Sequence, residues 1–125
     1  MKCLVVDDST TMRRIVLNAL RSIGYTHTVE ASDGVEALEQ CDGTVEFVIT
    51  DWNMPKMGGL DLVKHLREKP ETAKIPILMV TTRSVKEDIL KAVQAGINSY
   101  IVKPFTPQVL KAKIEEVLQQ SAGAA

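Results

Sequence analysis

The chain has 125 residues, with 16 acidic and 15 basic side chains, two cysteines and five aromatic residues. This length suits one domain, which can bury roughly two thirds of its surface. The net charge of −1 argues against a nucleic-acid-binding protein, which needs a basic surplus. The apolar runs at 3–6 and 77–80 are too short for a membrane span, and no signal-peptide pattern opens the chain. We therefore expect a soluble, cytoplasmic single domain with no nucleic-acid or membrane partner. We also expect it to be a monomer.

Short apolar runs alternate with longer amphipathic segments along the chain. The apolar runs predict strands at 2–6, 27–31, 46–50, 77–80 and 99–102. The amphipathic segments predict helices at 12–23, 33–41, 60–68, 85–95 and 107–120. Gly24 and Gly96 are expected to end the first and fourth helices, and Ser32-Asp33 to cap the second. A frayed tail is expected at 121–125, which leaves one domain at 1–120.

Five strands that alternate with five helices predict a doubly wound α/β fold, in which helices cover both faces of a parallel sheet. The first, third and fourth strands are almost entirely apolar, as expected for strands covered on both faces. The second strand, with His27 and Glu30, and the fifth, with Asn98 and Ser99 at its start, are more polar and suit the edges. The strand order 2-1-3-4-5 satisfies this distribution.

Polar side chains follow the predicted strands where each strand ends. Asp7 and Asp8 follow the first strand, Asp51 the third, Thr81 the fourth and Lys103 the fifth. In an open parallel sheet, ligands bind outside the carboxyl ends, where the strand order reverses. Neighbouring strands lie about 4.8 Å apart, so these side chains are expected to share one rim. Each of these residues, taken alone, is typical of a helix cap or a turn. Their convergence at one rim is what indicates a ligand-binding site.

Three carboxylates at one rim require a compensating cation. Two like charges about 4 Å apart repel by roughly 4 kcal/mol at an effective dielectric constant near 20. All-oxygen ligands without histidine or cysteine favour Mg²⁺ over Ca²⁺. A carboxylate can accept a phosphoryl group covalently, and Mg²⁺ and Lys103 would reduce the repulsion between the two anions. The rim therefore predicts Mg²⁺ held by Asp7, Asp8 and Asp51, and phosphoryl transfer, with Thr81 as a further donor.

The cysteines, the histidines and the Arg13-Arg14 pair form no comparable cluster of reactive groups. Cys3 lies within an apolar run and is predicted to be a buried, reduced thiol. The Arg13-Arg14 pair is predicted to lie on a solvated helix face beside the acidic rim. His27 and His65 have no partner pattern, so we assign them no chemistry.

Four sequence blocks carry a resemblance to response-regulator receiver domains. They are VVDDS at 5–9, ITDWNMP at 49–55, MVTT at 79–82 and VKPF at 102–105. The resemblance covers essentially the whole chain, and the DWNMP block is similar to that of stand-alone chemotaxis regulators. It implies a flavodoxin-like fold and a single-domain response regulator of two-component signalling. Such a protein is not an enzyme but a phosphoacceptor that assists its own phosphorylation and dephosphorylation.

The resemblance also implies the roles of the rim residues. Asp51 would be the phosphoacceptor, and a histidine kinase would be the phosphodonor. Asp7, Asp8, Asp51 and the backbone carbonyl of Asn53 would bind Mg²⁺, and Lys103 would pair with the phosphoryl group. In this family the bond between Lys103 and the following proline is usually cis.

The same resemblance implies a switch and an output face. Thr81 would be the switch hydroxyl, and Tyr100 the aromatic side chain that swings inward when Thr81 moves toward the phosphoryl group. The output face would comprise residues 85–118, and its target would be a protein such as the flagellar motor switch. A phosphatase is a further possible partner.

Three positions are expected to affect the rates of phosphorylation and dephosphorylation. Thr82 stands where the family commonly has a small residue, so its bulk would narrow the access of the phosphodonor to Asp51. Arg83 and Asn53 occupy the two positions at which the family tunes dephosphorylation. We expect Arg83 to alter the lifetime of the phosphoryl group, with the direction left open.

Three alternatives remain to be weighed. A Mg²⁺-dependent phosphatase with an aspartate nucleophile would place its second acid two residues after the first, whereas Asp7 and Asp8 are adjacent, and it would need a substrate cap. A flavodoxin-like nucleotide binder needs an anion-friendly loop after the first strand, which here is acidic and lacks glycine. Within the receiver interpretation, a phosphorelay intermediate or phosphate sink without a motor target remains open.

Overall fold

Five strands alternate with five helices within residues 2–123, which the computed structural model describes. The strands are β1 (Lys2–Val6), β2 (His27–Ala31), β3 (Val45–Thr50), β4 (Ile77–Thr81) and β5 (Ser99–Val102). The helices are α1 (Thr10–Ser22), α2 (Gly34–Gln40), α3 (Gly59–Glu68), α4 (Lys86–Ala95) and α5 (Pro107–Gly123). Every predicted element is present, with α5 running three residues past its predicted end at 120. Residues 124 and 125 of the expected frayed tail lie outside the described residues, and the division at 120 stays a prediction.

The strands form one parallel sheet in the order β2-β1-β3-β4-β5, as predicted. The central strands β1, β3 and β4 are almost wholly buried, whereas β2 and β5 at the edges are partly exposed. The order reverses at β1, whose neighbours are β2 on one side and β3 on the other. This reversal opens the crevice at the carboxyl ends where the polar residues were predicted to meet.

Two apolar cores lie on opposite faces of the sheet because successive side chains of a strand point to opposite faces. Leu4 and Val6 of β1 join the core beneath α2, α3 and α4. Cys3 and Val5 join the core beneath α1 and α5. Within the described residues, no helix has the length and apolar character that a membrane crossing requires.

The helix ends follow local sequence signals. The Ser9 hydroxyl accepts a hydrogen bond from the Met12 N–H at 3.2 Å and caps α1. The Asp33 carboxylate caps α2 in the same way and confirms the predicted cap. Gly24 and Gly96 follow α1 and α4 with φ of 95° and 117°, a left-handed conformation in which a β-carbon is strained.

The two cysteines are buried, as predicted for Cys3, whereas the two histidines lie on the surface. Cys3 and Cys41 are free and buried, and burial raises the pKa of each thiol to about 11. His27 and His65 are exposed side chains on the surface. None of the four lies within the carboxylate cluster at the carboxyl ends of the strands.

Candidate functional site

The carboxyl ends of β1, β3 and β5 bring three aspartates and one lysine together. Asp7, Asp8 and Asp51 each offer a carboxylate oxygen, and these oxygens lie within 4.8 Å of one another. The Lys103 Nζ lies 3.2 Å from Oδ2 of Asp7 and 3.3 Å from Oδ2 of Asp51. Asp7 and Asp51 are buried, whereas Asp8 is exposed. The predicted convergence of these four side chains is confirmed, and the cluster is open to solvent on the Asp8 side.

The main chain around Asp51 holds its carboxylate in place. The Asp51 N–H donates to the Val6 carbonyl at 3.0 Å and so continues the pairing of β3 with β1. The carboxylate Oδ1 accepts a hydrogen bond from the Trp52 N–H at 2.7 Å. On the other side, Gly59 at the start of α3 packs against the Asp51 carbonyl. Asp51 thus carries one oxygen bound to its own loop and one that faces Lys103.

Asp7 lies in the most desolvated part of the cluster. Burial raises the pKa of Asp7, and the nearby charge of Asp51 acts in the same direction. The Ser9 N–H, which donates to Oδ1 at 2.9 Å, and the ammonium of Lys103 oppose this increase in the pKa. Since burial is the main cause of the raised pKa, a cation bound beside Asp7 would offset the cost of its buried charge.

The donor set of this cluster fits a hard divalent cation. All three ligands are carboxylate oxygens, and the cluster contains no histidine or cysteine within the described residues. Mg²⁺ keeps several water ligands when it binds to a protein. The small number of carboxylates and the side of the cluster that is open to solvent leave room for these waters. Asn53 is exposed, and the contacts that hold it in the structure are made by its side-chain oxygen.

Thr81 ends β4 beneath the rim and is fully buried. Its hydroxyl accepts a hydrogen bond from the Arg83 N–H at 3.3 Å. The Thr81 carbonyl accepts one from the Lys103 N–H at 2.7 Å, which ties β4 to the end of β5. The peptide bond between Lys103 and Pro104 is cis, as the resemblance implies. Thr82 is exposed beside Thr81.

Arg83 occupies the centre of the loop between β4 and α4. Its Nη2 donates to Oδ1 of Asn53 at 2.9 Å, and its Nη1 lies 3.4 Å from Oδ2 of Asp88. The guanidinium carbon lies 4.5 Å from the centre of the Trp52 ring, a cation–π distance. The Tyr100 hydroxyl donates to the Arg83 carbonyl at 2.6 Å. Arg83 therefore contacts both Asn53, through its guanidinium, and Tyr100, through its carbonyl.

The prediction that Arg13 lies on a solvated helix face is wrong. Its Nη1 donates to the Asp7 carbonyl at 2.5 Å, its Nε pairs with Glu30 at 3.1 Å, and its side chain is 16% exposed. The cause is the sheet register, in which Glu30 of β2 pairs with Val5 of β1 and so lies beside the first turn of α1. The sequence around Arg13 carries no local signal for this contact, because Glu30 lies seventeen residues away. Arg14 is exposed, as predicted.

Comparison with known proteins agrees with this geometry. The family model described as response regulator receiver domain matches residues 3–115. The chain is 56% identical over 120 residues to chemotaxis protein CheY1 of Helicobacter pylori, covering 94% of this chain and 97% of that protein. It is 49% identical over 124 residues to chemotaxis protein CheY of Pseudomonas aeruginosa, covering 98% and 100% of the two chains.

Solved structures show the same fold. The chemotaxis response regulator CheY4 of Vibrio cholerae superimposes with a TM-score of 0.84 at 35% identity, covering 93% of this chain and 97% of that one. A CheY-like receiver domain protein of Methanospirillum hungatei gives a TM-score of 0.89 at 26% identity, covering 99% and 98%. Since the sequence match, the strand order and the acidic rim agree, this chain belongs to the response regulator receiver domain family.

Proposed function

We propose that this chain is a chemotaxis response regulator that a histidine kinase phosphorylates on Asp51. The observation that carries the proposal is the cluster of three carboxylates within 4.8 Å, with Lys103 bound to both Asp7 and Asp51. The names of the relatives support the chemotaxis role. The receiver domain would span residues 1–120, and the protein would act as a cytoplasmic monomer rather than as an enzyme.

The reaction would transfer a phosphoryl group from nitrogen to oxygen. A carboxylate oxygen of Asp51 attacks the phosphorus of a kinase phosphohistidine, the P–N bond breaks, and its electron pair stays on the imidazole nitrogen, which takes a proton. The product is an acyl phosphate on Asp51. Lys103, already within ion-pair distance of Asp51, would pair with a phosphoryl oxygen and stabilise its charge.

The carboxylates of Asp7, Asp8 and Asp51 and the backbone carbonyl of Asn53 would hold Mg²⁺. When bound, Mg²⁺ would offset the negative charge of the carboxylates and of the incoming phosphoryl oxygens. The all-oxygen donor set and the raised pKa of Asp7 support this assignment.

Phosphorylation would be read on the face formed by α4, β5 and α5, at residues 85–118. Three apolar side chains at α4 are unusually exposed: Val85 at 56%, Leu90 at 48% and Val93 at 54%. Exposed apolar groups on one face favour a protein target, such as the flagellar motor switch. Thr81 and Tyr100, which both bind the main chain of Arg83, would link the phosphoryl group to this face.

The lifetime of the acyl phosphate would depend on the residues around Trp52. The Arg83 guanidinium binds Asn53 and covers the Trp52 ring, and these two residues directly follow Asp51 in the chain. The exposed side chain of Thr82 would narrow the access of the phosphodonor to Asp51. The decay rate of phosphorylated Arg83→Ala, compared with wild type, tests this role, and equal rates would remove Arg83 from it. A phosphatase partner would act on the same group.

Trp52 provides the test of the phosphoacceptor, because it is the only tryptophan in the chain and directly follows Asp51. Mg²⁺ should change its fluorescence, and beryllofluoride or a small phosphodonor should change it again. Asp51→Asn should abolish the second change and the mass increase of one phosphoryl group. A folded wild type with neither a fluorescence response nor a mass increase would contradict the proposal.

A motor target and a relay or sink role are separated by one binding experiment. A flagellar-switch peptide should bind the beryllofluoride form more tightly than the free form, and substitution of Val93 by lysine should weaken that binding. Equal, weak binding to both forms would favour the relay or sink role. The exposed apolar residues of α4 favour the motor target.

A further inference from the structure

Helix α4 is weakly attached to the body of the protein. Ala92 is its one fully buried residue, and Val85 at its N-cap makes no side-chain hydrogen bond. Helix stability in proteins comes mainly from a buried apolar face and from capping. A contact of modest strength at the first turn of α4 can therefore change the position or the order of this turn.

The two ends of α4 are held differently. At the carboxyl end, Arg67 of α3 donates two hydrogen bonds to the Gly96 carbonyl, at 3.0 and 2.7 Å. At the amino end, the side-chain ion pair of the first turn is that of Asp88 with Arg83. The carboxyl end is thus fixed to a neighbouring helix, whereas the amino end is fixed to the loop above the acidic rim.

Arg83 connects this amino end with the segment that carries the phosphoacceptor. One guanidinium binds both Asn53, two residues after Asp51, and Asp88 in α4. The same guanidinium lies over the Trp52 ring, which is itself 9% exposed and packed in the core. A displacement of Asn53 or Trp52 must therefore either move the Arg83 guanidinium or break one of its contacts.

We propose that Arg83 is a positioning residue that transmits the state of the phosphorylation loop to the first turn of α4 through its ion pair with Asp88. This route acts alongside the link that Thr81 and Tyr100 form between the phosphoryl group and the output face. The inference rests on the proposed function. Phosphorylation changes the surroundings of Asn53, and the Arg83 guanidinium moves with the Asn53 side chain that it binds. This movement weakens or tightens the ion pair of Arg83 with Asp88, and so shifts the first turn of α4. The exposed Leu90 and Val93 on α4 are repositioned as a result.

Hydrogen exchange at the amides of residues 86–90 tests this route. In the wild type, Mg²⁺ with beryllofluoride should change the exchange rate of these amides. Asp88→Asn should bind beryllofluoride with a dissociation constant within about twofold of wild type, measured by Trp52 fluorescence. Its amides should exchange about two- to fivefold faster in the free form, the range expected for a partly exposed ion pair. Their response to beryllofluoride should fall by at least half.

Glu87→Gln is the matched control, because Glu87 is an exposed carboxylate in the same first turn. It removes the same charge from the start of α4 but leaves the Arg83–Asp88 pair intact. It should keep the full response to beryllofluoride.

Two results would overturn the inference alone. They are a full response in Asp88→Asn, and an equal loss in Glu87→Gln, which would show a general effect of charge at the helix end. A wild type that binds no beryllofluoride would instead overturn the proposed function, and the inference with it.

Discussion

Gly59 packs directly against the main-chain carbonyl of Asp51. A β-carbon built on Gly59 would lie 1.8 Å from that oxygen and 3.1 Å from the Cα of Trp52. No side chain fits in that space, so the first residue of α3 must be glycine for the phosphorylation loop to close over it. The helix start and the candidate phosphoacceptor therefore fix each other's position.

Gly59→Ala should lower the free energy of unfolding by about 1–3 kcal/mol, the usual cost of overpacking. The displaced Asp51 should also bind Mg²⁺ more weakly. Gly43→Ala is the control, since its β-carbon would lie 3.8 Å from its nearest neighbour, a side-chain atom of Glu71, and should change stability by less than about 0.5 kcal/mol. Urea unfolding with and without Mg²⁺ measures both effects, and equal stabilities of the two variants would refute the packing argument.

Lys103→Met removes the ammonium that binds Asp7 and Asp51. Without it, beryllofluoride should bind at least about tenfold more weakly, because a charge-assisted contact to the phosphoryl mimic is lost. The affinity for Mg²⁺ should be retained or increase, since one competing positive charge has left the cluster. Trp52 fluorescence titrations measure both constants. Unchanged beryllofluoride affinity would exclude Lys103 as the phosphoryl partner.

Asp7 should make the stability of the metal-free protein depend on pH. Burial raises the pKa of Asp7 above its ordinary value of 3.8, so between 3.8 and the raised pKa the folded state binds more protons than the unfolded state. The free energy of unfolding therefore falls as pH rises through this window, and the cost of the buried charge is complete above it.

The Asp7→Asn variant tests this sign. At pH 7 without Mg²⁺ it should resist urea better than the wild type, and the difference should shrink as the pH is lowered toward 3.8. Mg²⁺ should stabilise the wild type more than the variant. Equal or lower stability of Asp7→Asn at pH 7 without metal would show that its hydrogen bonds outweigh the cost of burial.

Arg67 joins α3 to the end of α4 and to the segment before β4. It donates to the carbonyls of Ala73, Ile75 and Gly96 and to the side chain of Asn98, at 2.7–3.1 Å. Arg67→Ala should cost about 2–4 kcal/mol, because it leaves partly buried carbonyls without donors.

Arg67→Lys should recover only part of this loss, since an ammonium lacks the planar fork of the guanidinium. Arg14→Ala, at an exposed position of α1, is the control and should be neutral within about 0.5 kcal/mol. Thermal or urea unfolding measures the series. A neutral Arg67→Ala would show that water replaces the lost donors.

Much of the fold could be predicted because its signals are local. The run at Lys2–Val6 is apolar throughout, as a central parallel strand requires, and the residues of α1 repeat at helical spacing. Asp33 and Gly96 mark helix ends within a few residues of themselves. The convergence of Asp7 and Asp51 was also predictable, since it follows from the strand order alone.

The contacts of the arginines could not be predicted in the same way. Arg13 has the same sequence environment as exposed Arg14, yet it binds Glu30 seventeen residues away. Arg83 reaches Asn53 across thirty residues, and Arg67 reaches Gly96 across twenty-nine. A long flexible side chain has many rotamers, and its partner is chosen only when separate loops and helices have packed together.

The residue pattern alone predicts the order of the elements, the two-sided burial of the sheet and the set of residues at its carboxyl edge. Hydrophobic period and capping act over a few residues, and strand order places strand ends without further information. Packing of the folded chain sets three further contacts: Gly59 admits the Asp51 carbonyl, Arg13 supports Asp7, and Arg83 binds Asn53 and Asp88 together. These contacts depend on distances of a few ångströms between segments that approach one another only in the packed chain.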